Sequence, residues 1–198
     1  MATQTTLIRG FKAKAERIAT ECREKLGIHA CAPLCAFKLA NYLKIPIYRA
    51  TDFITDAAEL KKLEGIDCEG YGWSALTMIT KAGNRIIIHN NYHVPARQQS
   101  DIMHEIAHII CEHEVKLPPQ GINLPLGMRD FDKSQEDEAI YLGATLQLSR
   151  PCLLWAKKNN MTNAAIAAHF NASMEMVNFR IGSTGINKQF SFRKNQVN

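Results

Sequence analysis

The chain has 198 residues, of which 46% are hydrophobic, and its formal net charge is +5. This length and composition fit one globular domain with at most a small appended subdomain. The sequence has no apolar run of about 18 residues and no signal-peptide pattern at its start, so we expect a soluble, cytoplasmic protein with no membrane partner. Its basic residues are spread along the chain, which permits nucleic-acid binding without indicating it.

The first third of the chain is predicted to be mainly helical. Apolar residues recur at helical spacing over residues 7–26, and Gly27 suits the end of that helix. The next predicted elements are a helix over 33–43, a strand over 45–49 and a helix over 51–62 capped by Thr51 or Asp52.

The middle of the chain contains a predicted hairpin and then a long helix. Strand patterns over 71–80 and 85–89 flank a turn at 81–84, and helical spacing follows over 97–113. Together with the strand over 45–49, the hairpin predicts a small three-stranded sheet in a mainly helical α+β fold.

The last third is predicted to be helical throughout. A helix opens near Lys133 with Ser134 as its expected cap, and two short helices flank a turn at 171–173. This final pair resembles a helix-turn-helix. We therefore expect a main domain over 1–158 and a C-terminal helical subdomain over 159–198.

The predicted helix over 97–113 carries the H-E-x-x-H motif, His104 to His108. Two imidazoles one helical turn apart can hold zinc, and the intervening Glu105 can act as a general base on water. The helix is amphipathic, since Ile102 and Ile106 fall on the side opposite the motif. This division suits a helix that packs its back on the core and lines a cleft with its front.

Catalytic zinc usually takes three protein ligands, so one more donor is required. The metzincin pattern places a glycine and a third histidine after the motif, but Cys111 and Glu114 occupy those positions. His113 would point away from both ligands if the helix continued to it. We therefore expect the third ligand to come from another element.

The acidic start of the helix near Lys133 offers candidates for that ligand. Glu136 is followed on its own face by Ala139 and Gly143, small residues that would let this helix approach the motif helix closely. Glu138 lies about 200° around the helix from Glu136 and is expected to be solvated. Spacing alone favours Glu136 only moderately, because acidic first turns are common.

The chain resembles the ImmA/IrrE family of zinc metallo-endopeptidases, a zincin-like group of bacteria and their mobile elements. The blocks that carry the resemblance are Arg9-Gly10-Phe11-Lys12-Ala13, Ser74-Ala75-Leu76-Thr77, Ile86-Ile87-Ile88-His89-Asn90, Arg97, the H-E-x-x-H motif, Glu136-Asp137-Glu138-Ala139 and Leu146-Gln147-Leu148-Ser149-Arg150. The chain departs from the usual family pattern at Ser149 and at 99–101, and the second change puts the substrate preference in doubt.

The resemblance implies a zincin-like fold and a specific set of site residues. His104, His108 and Glu136 would hold Zn²⁺, and Glu105 would be the catalytic base. A side-chain donor to the carbonyl oxygen would come from Tyr92, His93 or Tyr141, which the sequence does not rank. The substrate implied is a helix-turn-helix transcriptional repressor, whose cleavage would relieve repression.

Two other functions are compatible with the sequence. The C-terminal helices could belong to a DNA-binding transcriptional regulator with a structural or vestigial zinc site, with Asn178 and Arg180 available to contact DNA. This possibility is not favoured, because the segment lacks a dense basic face. A purely structural zinc site is disfavoured by Glu105, since such a site needs no general base.

Overall fold

The computed structural model describes residues 7–64, 73–113 and 132–189. The helices are α1 (Phe11–Lys25), α2 (Ala36–Tyr42), α3 (Ala57–Glu64), α4 (Pro95–Ile110), α5 (Lys133–Gln147), α6 (Arg150–Lys158), α7 (Asn163–Phe170) and α8 (Met174–Thr184). The strands are β1 (Ile47–Arg49), β2 (Ala75–Ile79) and β3 (Arg85–His89). The predicted α+β class, mainly helical with a three-stranded sheet, is confirmed.

The three strands form one sheet with β3 in the centre. β3 pairs with β1 in parallel and with β2 as an antiparallel hairpin. The predicted turn closes the hairpin through a hydrogen bond from Thr80 N to Asn84 O, and Gly83 adopts a φ of +80° that favours glycine. Residues 71 and 72, where the first hairpin strand was expected to begin, lie outside the described residues.

Several helices differ from the expectation in the residue at which they begin or in the residue that caps them. Gly10 has a φ of +89°, a left-handed conformation that is not helical, so the first helix begins at Phe11. The third helix begins at Ala57 because Asp56, rather than Thr51 or Asp52, accepts hydrogen bonds from its first backbone N–H groups. The fifth is capped by Asp132 rather than by Ser134, whose backbone N–H donates to the Asp132 carboxylate.

The main core lies between α1, α2, α4, α5 and the sheet. Ile102 and Ile106 on the back of α4 are completely buried in it, as the helical spacing predicted. Glycine at position 143 allows α5 to lie directly against α4, because a Cβ there would be 3.1 Å from the Cα of His104. The predicted close approach of the two helices is therefore confirmed, and it brings the start of α5 to the motif.

A second, smaller core joins α6, α7 and α8. Its buried members run from Leu148 to Ile186, so it includes residues that precede the expected boundary at 158/159. That boundary stays a prediction. In the part of the chain that the structure describes, no helix combines the length and the apolar character needed to cross a membrane.

Candidate metal centre

Three side chains converge between α4 and α5. His104 Nε2 and His108 Nε2 are 3.0 Å apart, and each lies 3.4 Å from a carboxylate oxygen of Glu136. Ligands at about 2.0–2.2 Å from a tetrahedral zinc ion are separated by about 3.3–3.5 Å. The triangle of donor atoms therefore has nearly the size that zinc requires.

The chemistry of these donors also suits a divalent metal ion. Hydrogen bonds with His104 and His108 hold the pKa of Glu136 well below its usual range, so its carboxylate is ionised and can act as a ligand. His108 is buried, whereas His104 and Glu136 are partly exposed, which leaves one side open to solvent. A closed structural site would be shielded on all sides.

The geometry of α4 and α5 explains why these residues meet. His104 and His108 are one turn apart on the face of α4 opposite Ile102 and Ile106. The close packing at Gly143 then carries Glu136, in the first turns of α5, to the same face. The structure thus brings together all three predicted ligands, whose role in holding zinc stays a prediction.

Glu105 lies beside the triangle and has a partner that the sequence did not reveal. The hydroxyl of Thr77 on β2 donates a 2.6 Å hydrogen bond to Glu105 Oε2, and both side chains are buried. Thr77 belongs to one of the family-like blocks, but no spacing rule links a strand residue to a helix residue 28 positions later. Only the packing of β2 against α4 identifies this contact.

The end of α4 differs from the expected continuing helix. The helix ends at Ile110, and Glu112 adopts a left-handed φ of +56°, which reverses the chain. His113 N donates to His108 O and Glu112 N to Ile109 O, the pair of bonds that defines a Schellman motif. The expectation that His113 points away from the ligands is wrong, because this turn folds its ring back onto His108.

His113 joins the candidate site to Glu138. Its Nδ1 is 2.9 Å from His108 Nδ1, and its Nε2 is 3.1 Å from Glu138 Oε2. Burial lowers the pKa of His113, which favours the neutral ring. The expectation of a solvated Glu138 is therefore wrong, since its side chain is only 16% exposed and is bonded to His113.

Cys111, His113 and Glu138 form a second group of potential metal ligands beside the first. Burial raises the pKa of the Cys111 thiol to about 11, so the protonated form is favoured at neutral pH. Metals bind the thiolate, which makes this group a weaker candidate than the histidine and glutamate triangle.

The three candidate donors to a carbonyl oxygen have different environments. Tyr141 is buried in the main core against Phe11, which removes its ring from a solvent-accessible site. Tyr92 is exposed. His93 is mostly buried, with its Nδ1 2.9 Å from the carboxylate of Asp101. His93 and Tyr92 therefore remain candidates, and the carboxylate of Asp101 orients the ring of His93.

Comparisons with known proteins identify a family and give a distant structural relative. A solved structure described as a Mycobacterium tuberculosis transcriptional regulator aligns with a TM-score of 0.46 and 12% identity, over 86% of this chain and 46% of the regulator. This chain thus spans less than half the length of that protein. No curated protein matches the sequence.

The family match covers the candidate metal centre. Residues 59–182 match the IrrE N-terminal-like domain, peptidase family M78. The matched region includes β2, the motif helix and α5. Because it spans more than half of the sequence, the chain belongs to the IrrE N-terminal-like family of peptidases.

Proposed function

We propose that this protein is a zinc-dependent endopeptidase that cleaves a helix-turn-helix transcriptional repressor. The observation that carries the proposal is the triangle of His104, His108 and Glu136 with the buried carboxylate of Glu105 beside it. A structural metal site has no use for a carboxylate in this position, whereas hydrolysis requires a base there.

A zinc ion held by the three ligands would supply Lewis acidity, which lowers the pKa of water and polarises the carbonyl group of a peptide bond. Glu105 would take one proton from the attacking water while the oxygen of that water bonds to the carbonyl carbon. Glu105 would then deliver that proton to the leaving nitrogen as the carbon–nitrogen bond breaks.

Thr77 would determine which oxygen of Glu105 takes part in this proton transfer. Its hydroxyl engages Oε2, so we assign the proton transfer to Oε1. His93, held by Asp101, and the exposed Tyr92 are our two candidates for the donor to the oxygen of the scissile carbonyl group.

The sheet offers a means of holding an extended peptide. Among the described strands, β2 pairs with β3 alone and so forms an edge of the sheet. An extended substrate could add to that edge through backbone hydrogen bonds. Because Thr77 lies on β2 and contacts Glu105, a peptide on this strand would pass beside the proposed base.

The choice of a repressor as substrate comes from the family resemblance. A repressor of this kind acts on DNA inside a bacterial cell, so we expect the enzyme to work in the cytoplasm, either in a stress response or for a mobile element. DNA binding by the chain itself is a less favoured alternative, because Arg180 is completely buried and cannot contact a duplex.

The direct test is to incubate the zinc-loaded protein with a helix-turn-helix repressor, chosen first from the neighbouring genes if one is encoded there. We expect one defined cut, mapped by mass spectrometry, which a chelator abolishes and added zinc restores. A repressor that stays intact under every activating condition would contradict this choice of substrate. Cleavage that survives removal of zinc would contradict the proposed chemistry.

A further inference from the structure

A chain of close polar contacts extends from the candidate metal centre into the protein. His108 directs Nε2 toward His104 and Glu136, and its other ring nitrogen, Nδ1, lies 2.9 Å from His113 Nδ1. His113 Nε2 is in turn 3.1 Å from Glu138 Oε2. The side chains of His108 and His113 are 4% and 5% exposed, so water has little access to these contacts.

Only one placement of the ring protons of His108 and His113 is compatible with these contacts when His108 binds a metal ion. A neutral imidazole carries a proton on one ring nitrogen and a lone pair on the other. If His108 Nε2 binds a metal ion, the proton of His108 must be on Nδ1, from which it donates to His113 Nδ1. The proton of His113 must then be on Nε2, from which it donates to the carboxylate of Glu138.

We propose that His113 and Glu138 are positioning residues that hold His108 in the tautomer and ring orientation required to bind the metal ion. We call His108, His113 and Glu138 the histidine relay. Histidine ligands of metals usually donate their second ring N–H to a carboxylate, a backbone carbonyl or water, which also makes them stronger donors. Here His113 lies between His108 and the carboxylate of Glu138. The proposal rests on the metal site within the proposed function but not on peptidase activity.

The backbone conformation of Glu112 allows His113 to contact His108. His113 reaches His108 because Glu112 adopts the left-handed backbone conformation, which residues other than glycine rarely take. The ring of His113 then packs edge-on against that of His108, with their centres 5.0 Å apart. Glu138 approaches from α5, the helix that also carries Glu136, so one helix contributes both a ligand and the end of the relay.

A second metal ion on Cys111, His113 and Glu138 is the competing explanation of the same contacts. Binding through His113 Nε2 would move the proton of His113 to Nδ1, where it would face His108 Nδ1. The proton of His108 would then have to be on Nε2, which could no longer bind metal. As long as both rings are neutral and His108 binds the first metal ion, the histidine relay and a second metal ion on His113 therefore exclude each other.

The first experiment measures zinc affinity by competition with a chromophoric chelator, in the absence of substrate. His113→Phe keeps a ring of similar size but cannot accept the proton of His108, and Glu138→Leu removes the final acceptor. We expect each variant to bind zinc about 10- to 100-fold more weakly than the wild-type chain. Cys111→Ala is the matched control, because Cys111 belongs to the competing site and not to the relay.

The outcomes separate the two explanations. Unchanged affinity in His113→Phe and Glu138→Leu would overturn the relay. Two zinc ions per wild-type chain, with one lost in Cys111→Ala, would replace it with the second metal site. A protein that binds no zinc would overturn both the relay and the proposed function, whereas tight zinc binding without proteolysis would contradict the proposed function alone.

A second measurement needs no mutation and so does not depend on how the variants fold. Long-range proton–nitrogen correlation spectra of isotope-labelled histidines report which ring nitrogen carries the proton. In the zinc-loaded protein we expect the proton of His108 on Nδ1 and that of His113 on Nε2. A proton on His113 Nδ1 would overturn the proposal.

Discussion

Glu105 and Thr77 lie on different elements and meet in a buried contact. A carboxylate removed from water needs hydrogen-bond partners, and the Thr77 hydroxyl supplies one at 2.6 Å. This contact restrains the side chain that we propose as the base. At the scale of single residues, the candidate site therefore consists of three proposed ligands, one proposed base and the groups that orient them.

Replacing Glu105 by Gln should abolish proteolysis while leaving zinc bound. The amide has the shape of the carboxylate but cannot take a proton from water, so we expect the cleavage rate to fall by at least about 100-fold. The zinc content and the cleavage rate are measured on the same preparation of the variant. The same change at the exposed Glu24 of α1 serves as a control that should keep full activity. Substantial proteolysis by Glu105→Gln would contradict the assigned role.

Replacing Thr77 by Val should lower kcat and have little effect on KM. Valine keeps the branched shape but cannot donate, and a hydrogen bond to a charged group contributes about 1.5–3 kcal/mol, equivalent to about a 10- to 100-fold change in rate. Thr77→Ser keeps the hydroxyl and should restore most of the activity. If Val and Ser variants were equally impaired, the methyl group rather than the hydroxyl would be responsible.

At the scale of secondary-structure elements, the packing of α4 against α5 brings the three proposed ligands together. The two helices come from separate parts of the sequence and meet where Gly143 faces the backbone at His104. Since Glu136 is carried by α5, any separation of the helices would move one ligand away from the other two. We therefore expect this glycine to affect both the stability of the protein and its affinity for metal.

Gly143→Val tests this dependence. The new side chain would press against the α4 backbone, so we expect a loss of about 1–3 kcal/mol in unfolding free energy and weaker zinc binding. Gly182→Val in α8 is the matched control, because a Cβ there has no atom within 4 Å. We expect it to change stability by less than about 0.5 kcal/mol. Similar losses in both variants, measured by urea denaturation, would point to general helix effects rather than close packing.

The C-terminal helices α7 and α8 have the short turn of a helix-turn-helix, with Asn171 in the left-handed conformation between them. One of the two residues expected to be available to DNA, Arg180, is buried, whereas Asn178 is exposed. We therefore expect weak binding to duplex DNA without sequence preference. Tight binding whose salt dependence indicates several phosphate contacts would favour the regulator function instead.

At the scale of the whole molecule, buried Arg180 links the C-terminal core to the first helix. Its guanidinium contacts Glu16 of α1 at 2.5 Å and donates to Leu148 O at 2.9 Å. Glu16 also accepts from the backbone N–H of Arg150, at the start of α6. The two cores are therefore joined by a small polar network in addition to apolar packing.

Glu16→Gln should destabilise the whole protein. The change leaves the buried charge of Arg180 without its counter-ion, which costs about 1–3 kcal/mol. Glu21→Gln on the same helix is the control, because its ion pair with Arg17 is exposed and contributes little. Urea denaturation of both variants measures the difference. Equal stability of the two variants would mean that Arg180 finds another partner.

The sequence by itself determined the parts of this protein that depend on local pattern. Helical spacing identified α4 and the buried side of that helix, and the H-E-x-x-H motif predicted two ligands and the base on its other side. The choice of Glu136 over Glu138 needed the family resemblance, because an acidic first turn does not indicate which carboxylate faces a metal ion.

Tertiary structure alone decided the contacts between residues that are distant in sequence or separated by a turn. The Thr77–Glu105 hydrogen bond depends on how β2 packs against α4, which no local pattern encodes. The contact of His113 with His108 depends on the left-handed conformation of Glu112, a residue type that rarely adopts it. The burial of Arg180 depends on Glu16, 164 positions earlier. The partners in the first and third contacts come from different elements, and those in the second are joined by a turn, so only the folded chain brings these pairs together.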